Sequence, residues 1–353
     1  MPKILLVALL LAGELLAQQT VYVGTRTRTG RSQGIYRIRF DVITGSLSNV
    51  KLVAETVDPS FLALHKTRPL LFSVVASEQG MLKSFAIEAD GELRLLNQVS
   101  SKGAGPAHLQ VDRSGKWVTV ANYTSGSIAV HRIEEDGRLS DAVDTVQHVG
   151  KSVHPTRQTG PHAHSVNFSA DNKSLYVADL GLDEVKLYSF DAASGKLKAI
   201  DPLRTPPGSG PRHLAIGKKR VYVLNELSSS VSLFEKGRLI ETVSTLPAGF
   251  SGVSTAAEIV IDGNEKFLYA SNRGADTLAV FAIGNRLKKM GEVKVGQTPR
   301  GFVLSPDGKF LLVGSQDEDL VQSYRIDGST GMFTAVGKPV IVGTPICLRF
   351  AFR

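Results

Sequence analysis

The sequence predicts an all-β fold, a seven-bladed β-propeller of four-stranded antiparallel blades with the ring closed by its two terminal strands. Three observations carry this. A short strand-like element recurs seven times at blade-length spacing, a second element recurs seven times between those copies, and the two series are offset at the chain ends.

The first element is a small residue or Pro, then alternating apolar positions: Pro59-Ser-Phe-Leu-Ala-Leu, Pro106-Ala-His-Leu-Gln-Val, Pro161-His-Ala-His-Ser-Val and Pro211-Arg-His-Leu-Ala-Ile. Ala256-Ala-Glu-Ile-Val-Ile, Pro299-Arg-Gly-Phe-Val-Leu and Pro345-Ile-Cys-Leu-Arg-Phe complete the series, with successive spacings of 47, 55, 50, 45, 43 and 46 residues. The second element runs from Val21-Tyr-Val-Gly-Thr through Leu71-Phe-Ser-Val-Val, Val118-Thr-Val-Ala-Asn, Leu175-Tyr-Val-Ala-Asp, Val221-Tyr-Val-Leu-Asn and Leu268-Tyr-Ala-Ser-Asn to Leu311-Leu-Val-Gly-Ser. Turns such as Asp112-Arg-Ser-Gly-Lys and Ser305-Pro-Asp-Gly-Lys separate the two, and third and fourth strands follow, as in Ser127-Ile-Ala-Val-His-Arg-Ile. Strands joined by turns this short pair antiparallel.

The second element at Val21 has no first element before it, and the first element at Pro345 has no second element after it. Pairing the C-terminal strand with the N-terminal one repairs both defects and removes two exposed edges. No linker or composition shift divides the chain, so residues 18–353 read as one domain. A two-sheet sandwich is the alternative, and seven near-equal units argue against it.

Bulk properties narrow the function. The 353 residues are 42% hydrophobic, enough for a sizeable soluble core, and 34 are glycine, as many tight turns require. Residues 1–17 read as a signal peptide: Lys3 supplies the positive end, Ile4–Ala12 an apolar run too short to span a bilayer, and Ala17 a small residue at the cut site. The expected location is periplasmic or secreted with no membrane attachment after cleavage; the alternative is a frayed cytoplasmic N-terminus. The single cysteine, Cys347, rules out an internal disulfide. Net charge is +8, but the 41 basic residues are scattered without a dense run, which argues against nucleic acid and for a small anionic partner.

Antiparallel pairing sets the start of each first strand beside the end of the second, on one rim near the axis. The starts offer His108, His162, His164, Arg212, His213, Glu258 and Arg300; the ends offer Asn122, Asp179, Asn225, Glu226, Asn272, Arg273 and Gln316. The longest connections, 150–159, 204–210 and 245–255, enter the same rim before the fourth, fifth and sixth blades and localise the expected pocket there. Bland readings stand beside these: Asn122, Asp179 and Asn272 cap turns through their own side chains, and Arg212, Glu226 and Arg273 form a bridge between blades. His162 and His164, at alternate positions, point the same way from one strand. They could hold a metal, but no HExxH, Cys cluster or acid-rich loop supports one, so no metal or other cofactor is expected.

Gly160-Pro-His-Ala-His-Ser, Gly210-Pro-Arg-His-Leu, Tyr222-Val-Leu-Asn-Glu-Leu, Tyr269-Ala-Ser-Asn-Arg-Gly and Ser305-Pro-Asp-Gly-Lys-Phe together resemble the lactonase-type seven-bladed propellers, over about Val21 to Phe350. That family includes bacterial 6-phosphogluconolactonases and the fungal carboxy-muconate lactonizing enzyme. The resemblance implies a metal-independent enzyme and, by motif, catalytic groups at His164, Arg212, Glu226 and Arg273. His108, His162, Asn122, Asp179, Asn272 and Arg300 are then candidate substrate contacts. The expected reaction is hydrolysis of a sugar-derived lactone by water that His164 or Glu226 activates as general base. Arg212 and Arg273 would hold the oxyanion, or a phosphate or carboxylate. Lactonization of a muconate, and a non-catalytic exported propeller that binds a ligand or protein, are the alternatives.

Overall fold

A computed structural model describes residues 18–351. The segment read as a signal peptide, 1–17, lies outside the described residues, as do the last two. The described chain is 28 strands in seven antiparallel four-stranded sheets. Six sheets are continuous in sequence: 62–100, 106–147, 163–204, 211–244, 255–294 and 299–341, blades 2 to 7. Blade 1 is composite. Its innermost strand is Pro345–Phe350, which pairs with Gln18–Thr25, followed by Gly34–Asp41 and Leu47–Glu55. The ring therefore closes as the offset repeats predicted.

Each blade is built from the same local physics. The second strands are rich in β-branched and aromatic residues that suit a pleated surface buried on both sides. Trp117–Asn122 and Phe310–Ser315 are buried at every position. Tyr22, Tyr222 and Tyr269, from the repeated apolar-Tyr pair, are essentially inaccessible and pack between neighbouring blades. Turns between first and second strands are pinned by a side chain, His65 in blade 2 and a carboxylate in blade 3. Asp112 accepts backbone N–H bonds from Ser114, Lys116 and Trp117 at 2.8–3.0 Å. Gly115 in that turn has φ of +73°, and a Cβ there would fall 2.5 Å from the His65 ring, so a side chain is excluded twice.

One irregularity repeats around the ring. The first strand pairs with the second from its first residue, as in Pro106↔Asn122, Pro211↔Asn225 and Pro299↔Ser315, and the register then shifts by one. The same bulge falls between Ala163 and Ser165, between Ala256 and Ile259, and where Pro345 and Cys347 meet Thr25 and Gly24. A bulge leaves one residue unpaired and re-aims its side chain. Here the unpaired residues are Ala107, His164, Arg212, Ala257 with Glu258, Arg300 and Ile346, the innermost ring around the axis.

Candidate functional site

The bulged residues and those just beyond the second strands line a single axial cavity of about 440 Å³. From the bulges come Ala107, His164, Arg212, Glu258, Arg300 and Ile346; from just beyond the second strands come Arg26, Ala76, Tyr123 and Glu226, and from the last residue of one, Arg273. Contributions come from all seven blades. The expectation that three long loops confine the pocket to blades 4 to 6 is thereby corrected: an axial cavity receives the rim of every blade. Of those loops, 150–159 sends in Arg157 and 245–255 contributes Thr255.

Six arginines (26, 28, 157, 212, 273 and 300) and two glutamates (226 and 258) line this cavity. Arg28 is answered by the buried Asp58 from outside it. Glu226 is the hub of the remaining charge. Its Oε1 accepts from Arg157 at 2.7 Å, and its Oε2 lies 3.0 Å from both Arg212 Nε and an Arg273 terminal nitrogen. Burial pushes the Glu226 carboxyl up, but Arg273, Arg212 and Arg157 outweigh burial and hold it at about 2. A carboxylate stabilised this strongly is a poor proton acceptor at neutral pH.

The arginines keep donors to spare. The Nε–H groups of Arg212, Arg273 and Arg300 are all buried without an acceptor. At Arg212 the Nε sits within ion-pair distance of Glu226, yet its N–H is not aimed at that oxygen, so contact is electrostatic rather than a hydrogen bond. Arg212 and Arg273 spend other donors on the Ala257 and Ala256 carbonyls. Arg300 reaches only Gln316, at 3.5 Å. Burial, with Arg273, Arg212 and Arg26 alongside, lowers the Arg300 pKa well below its ordinary value. Burial and Arg273 likewise bring Arg212 down to about 10.

His164 lines the same cavity, with Nδ1 buried and unpartnered. Burial, then Arg212, His213, Arg300 and Arg273, keep its pKa well below 6.5, so the ring is neutral at pH 7. His162 does not share this position. The strand begins at Ala163, two residues later than the Pro161 frame requires, so His164 occupies the slot of Ala107, Arg212 and Arg300. His162 falls before the strand, stacks on Tyr123 at 4.6 Å and bonds the Tyr123 carbonyl through Nδ1 at 3.0 Å.

Three further candidates lie outside the cavity lining for one geometric reason: successive strand residues face opposite ways. Asn122 and Asp179 end their second strands and Asn272 is the penultimate residue of its own; all three turn into the blade, and the next residue turns to the axis or its rim. Asn122 donates to the Ser101 carbonyl, Asn272 exchanges bonds with Thr245, and Asp179 bonds His148, His162 N–H and Gly181 N–H. The capping reading holds for Asp179, whose carboxylate accepts the Gly181 N–H two residues on, whereas Asn122 and Asn272 spend their side chains on Ser101 and Thr245 of the preceding loops. His108 sits behind the cavity wall, 4.0 Å from the Phe61 ring and 5.4 Å from that of His213, and burial with His213 lowers its pKa well below 6.5.

Comparison with known proteins agrees with this geometry. The profile of the lactonase family of seven-bladed β-propellers matches residues 20–350. The chain belongs to that family. It is 34% identical to a 6-phosphogluconolactonase of Bacillus subtilis (strain 168) over 93% of this chain and 97% of that one. A 6-phosphogluconolactonase of Formosa agariphila is 31% identical over 91% and 96%. Among solved structures, the periplasmic gluconolactonase of Pseudomonas aeruginosa superposes with a TM-score of 0.88 at 34% identity, over 94% and 99% of the two chains.

Four participants escaped the sequence reading or were named there without a role. Tyr123 and Arg157 meet through a 3.2 Å hydrogen bond, and Arg157 comes from a loop whose path no local pattern encodes. His213 and Glu258, both noted as polar strand starts, form a buried pair with Nδ1 and Oε1 2.6 Å apart. The signal for His213 was available, since Pro211-Arg-His repeats the spacing of Pro106-Ala-His.

Proposed function

We propose that this lactonase-family propeller hydrolyses a sugar-derived lactone, with His164 as general base and the arginine cluster as oxyanion and anion site. The observation that carries this reading is the set of three buried Nε–H donors, on Arg212, Arg273 and Arg300, around one cavity. Buried donors without acceptors are costly, and native structures keep them where something binds. The cavity's volume suits a single sugar ring, and its excess of cations suits a phosphate or carboxylate on it.

Chemically, water attacks the ring carbonyl and passes its proton to the neutral His164. Charge building on the carbonyl oxygen meets the waiting guanidinium donors. The ring C–O bond then breaks, and the imidazolium returns the proton to the departing alkoxide. Glu226 is the organiser of this set, holding Arg157, Arg212 and Arg273 in place.

The test is proton release from glucono-δ-lactone and its 6-phosphate at pH 6.5, corrected for spontaneous opening. Wild type should accelerate both, with lower KM for the phosphate, and His164→Ala should lose on the order of 10²–10⁴-fold in kcat. Rates equal to buffer with folded protein would overturn the reading. Muconate lactonization, followed by ultraviolet absorbance, would replace it. We place the enzyme outside the cytoplasm on the strength of the export-like residues 1–17 and the likeness to a periplasmic gluconolactonase. Fractionation that leaves it uncleaved in the cytoplasm would refute that placement.

A further inference from the structure

Beside His164 lies a buried His–Glu pair that the hydrolytic scheme leaves unused. Glu258 enters through the widest bulge in the ring, between Ala256 and Ile259. Its backbone N–H donates to Ser271 Oγ at 3.0 Å, and its Oε1 accepts from the Ile259 N–H at 3.1 Å, which fixes the carboxylate. The same Oε1 lies 2.6 Å from His213 Nδ1. A carboxylate can only accept, so Nδ1 of His213 carries the proton and Nε2 is left with a lone pair. That Nε2 is buried and has no partner.

The ring next to it is His164, in edge-to-face contact with centroids 5.3 Å apart. On His164 the buried, unpartnered nitrogen is Nδ1. No hydrogen bond joins the two orphan nitrogens in this structure, but the rings touch, and a bond between them needs one nitrogen to donate and the other to accept; Glu258 has already made His213 the acceptor. We propose that Glu258 and His213 are positioning residues for His164: they hold it in the Nδ1–H tautomer, leave its Nε2 lone pair free for water, and take up its Nδ1 proton as Nε2 is protonated. This rests on the lactonase reading of the cavity.

The proton balance closes. Water gives a proton to His164 Nε2, His164 Nδ1–H passes its proton to His213 Nε2, and Glu258 faces the resulting imidazolium. Removal of hydroxide into the lactone and return of the proton to the leaving alkoxide restores every group. The arrangement answers a difficulty in the site: Arg212, Arg273 and Arg300 bear on His164, and Arg212 and Arg349 on His213, with the His108 ring edge-to-face beside it. These cations oppose a positive imidazole, and Glu258 is the acidic group bonded to either ring. Burial is the largest influence on His213 and lowers it, while Glu258 raises it.

The decisive measurement is imidazole ¹⁵N NMR on the folded protein, joined to kinetics of Glu258→Gln, Glu258→Asp and His213→Gln. His164 should appear as the Nδ1–H tautomer in wild type and lose that preference in Glu258→Gln. Glu258→Gln and His213→Gln should lower kcat by about 10²-fold with KM within about threefold, and Glu258→Asp should recover part of the loss. With its negative charge gone, Glu258→Gln should also move the acidic limb of the kcat/KM profile to lower pH. An Nε2–H tautomer at His164 overturns the proposal whatever the catalytic activity. So does a kcat loss in Glu258→Gln with an unmoved acidic limb, the mark of a merely structural pair. Wild type inert toward lactones with His164 as Nδ1–H would sink the hydrolytic reading and the proton transfer while leaving the tautomer control standing.

Discussion

Glu226→Gln tests the charge hub directly. The wild-type carboxylate is 5% exposed and sits within 2.7–3.0 Å of nitrogens from three arginines. Its pKa of about 2, against an ordinary 4.5, corresponds to about 3 kcal/mol of stability at neutral pH. Its partner Arg212 moves the other way, down to about 10, because burial and Arg273 cost it more than Glu226 returns. The carboxylate is the sounder basis for the magnitude, since three arginines converge on it; removing one partner of a buried pair costs about 3–5 kcal/mol in general. The folded pKa lies below the unfolded one, so this stability is present above pH 4.5 and is lost as pH falls toward 2. Glu226→Gln should therefore unfold in urea about 3 kcal/mol more easily at pH 7, with the gap to wild type closing to about 1 kcal/mol at pH 3. A gap under about 1 kcal/mol at pH 7, or one that does not shrink on acidification, would refute the account of Glu226 as organiser.

Other consequences follow from the same geometry. Arg300 has no carboxylate partner and one long hydrogen bond, so Arg300→Gln should change stability by less than about 1 kcal/mol yet weaken inhibition by inorganic phosphate at least about tenfold, measured by urea midpoint and inhibition constant. Phosphate at about 100 times its Kd should stabilise wild type by about 3 kcal/mol in urea unfolding, and should stabilise Arg300→Gln less at the same concentration. Dialysis against chelator should leave kcat unchanged, because the proposed steps use imidazole and guanidinium groups alone. Deleting residues 345–353 removes the innermost strand of blade 1 and exposes the edge of Gln18–Thr25, and should give aggregated protein by light scattering; a soluble, cooperatively folded product would contradict closure as the source of integrity.

The ring was legible because its determinants are local and repeated. Alternating apolar residues, a carboxylate-pinned turn such as Asp112 to Lys116, and a blade-length period each specify short-range structure, and seven copies average out any one weak signal. Closure was legible for a different reason: an unmatched element at Val21 and another at Pro345 are a defect only if the ends stay apart. The frame of blade 4 was misread because Pro161 imitates the prolines that open blades 3, 5 and 7. The residue that pairs with Asp179 is Ala163. A two-residue slip of this kind preserves strand alternation and so leaves no contradiction in the sequence, but it exchanges His162 for His164 at the axis.

What the sequence concealed is the rule that selects site residues from strand ends. Polar residues at Asn122, Asp179 and Asn272 looked as suitable as Glu226 and Arg273, and composition does not separate them. The bulge and the strand alternation do. Residues that pair across the rim are held in the blade and spend their side chains on loops, as Asn122 does on Ser101 and Asn272 on Thr245. The residue left unpaired by the bulge faces the axis, and so does the one that follows the rim pair, even though its backbone still bonds the segment before the first strand, as Tyr123 N–H does to the Gly105 carbonyl and Glu226 N–H to that of Gly210. Variation at those positions changes the cavity without changing the sheet, which is why Ala107, His164, Arg212, Arg300 and Ile346 differ so widely in chemistry. A cavity assembled this way collects charge from segments far apart in sequence. Arg157 reaches Glu226 across 69 positions of chain, and His213 reaches Glu258 across 45. Pairings at that range leave no periodic trace, and only the closed ring reveals them.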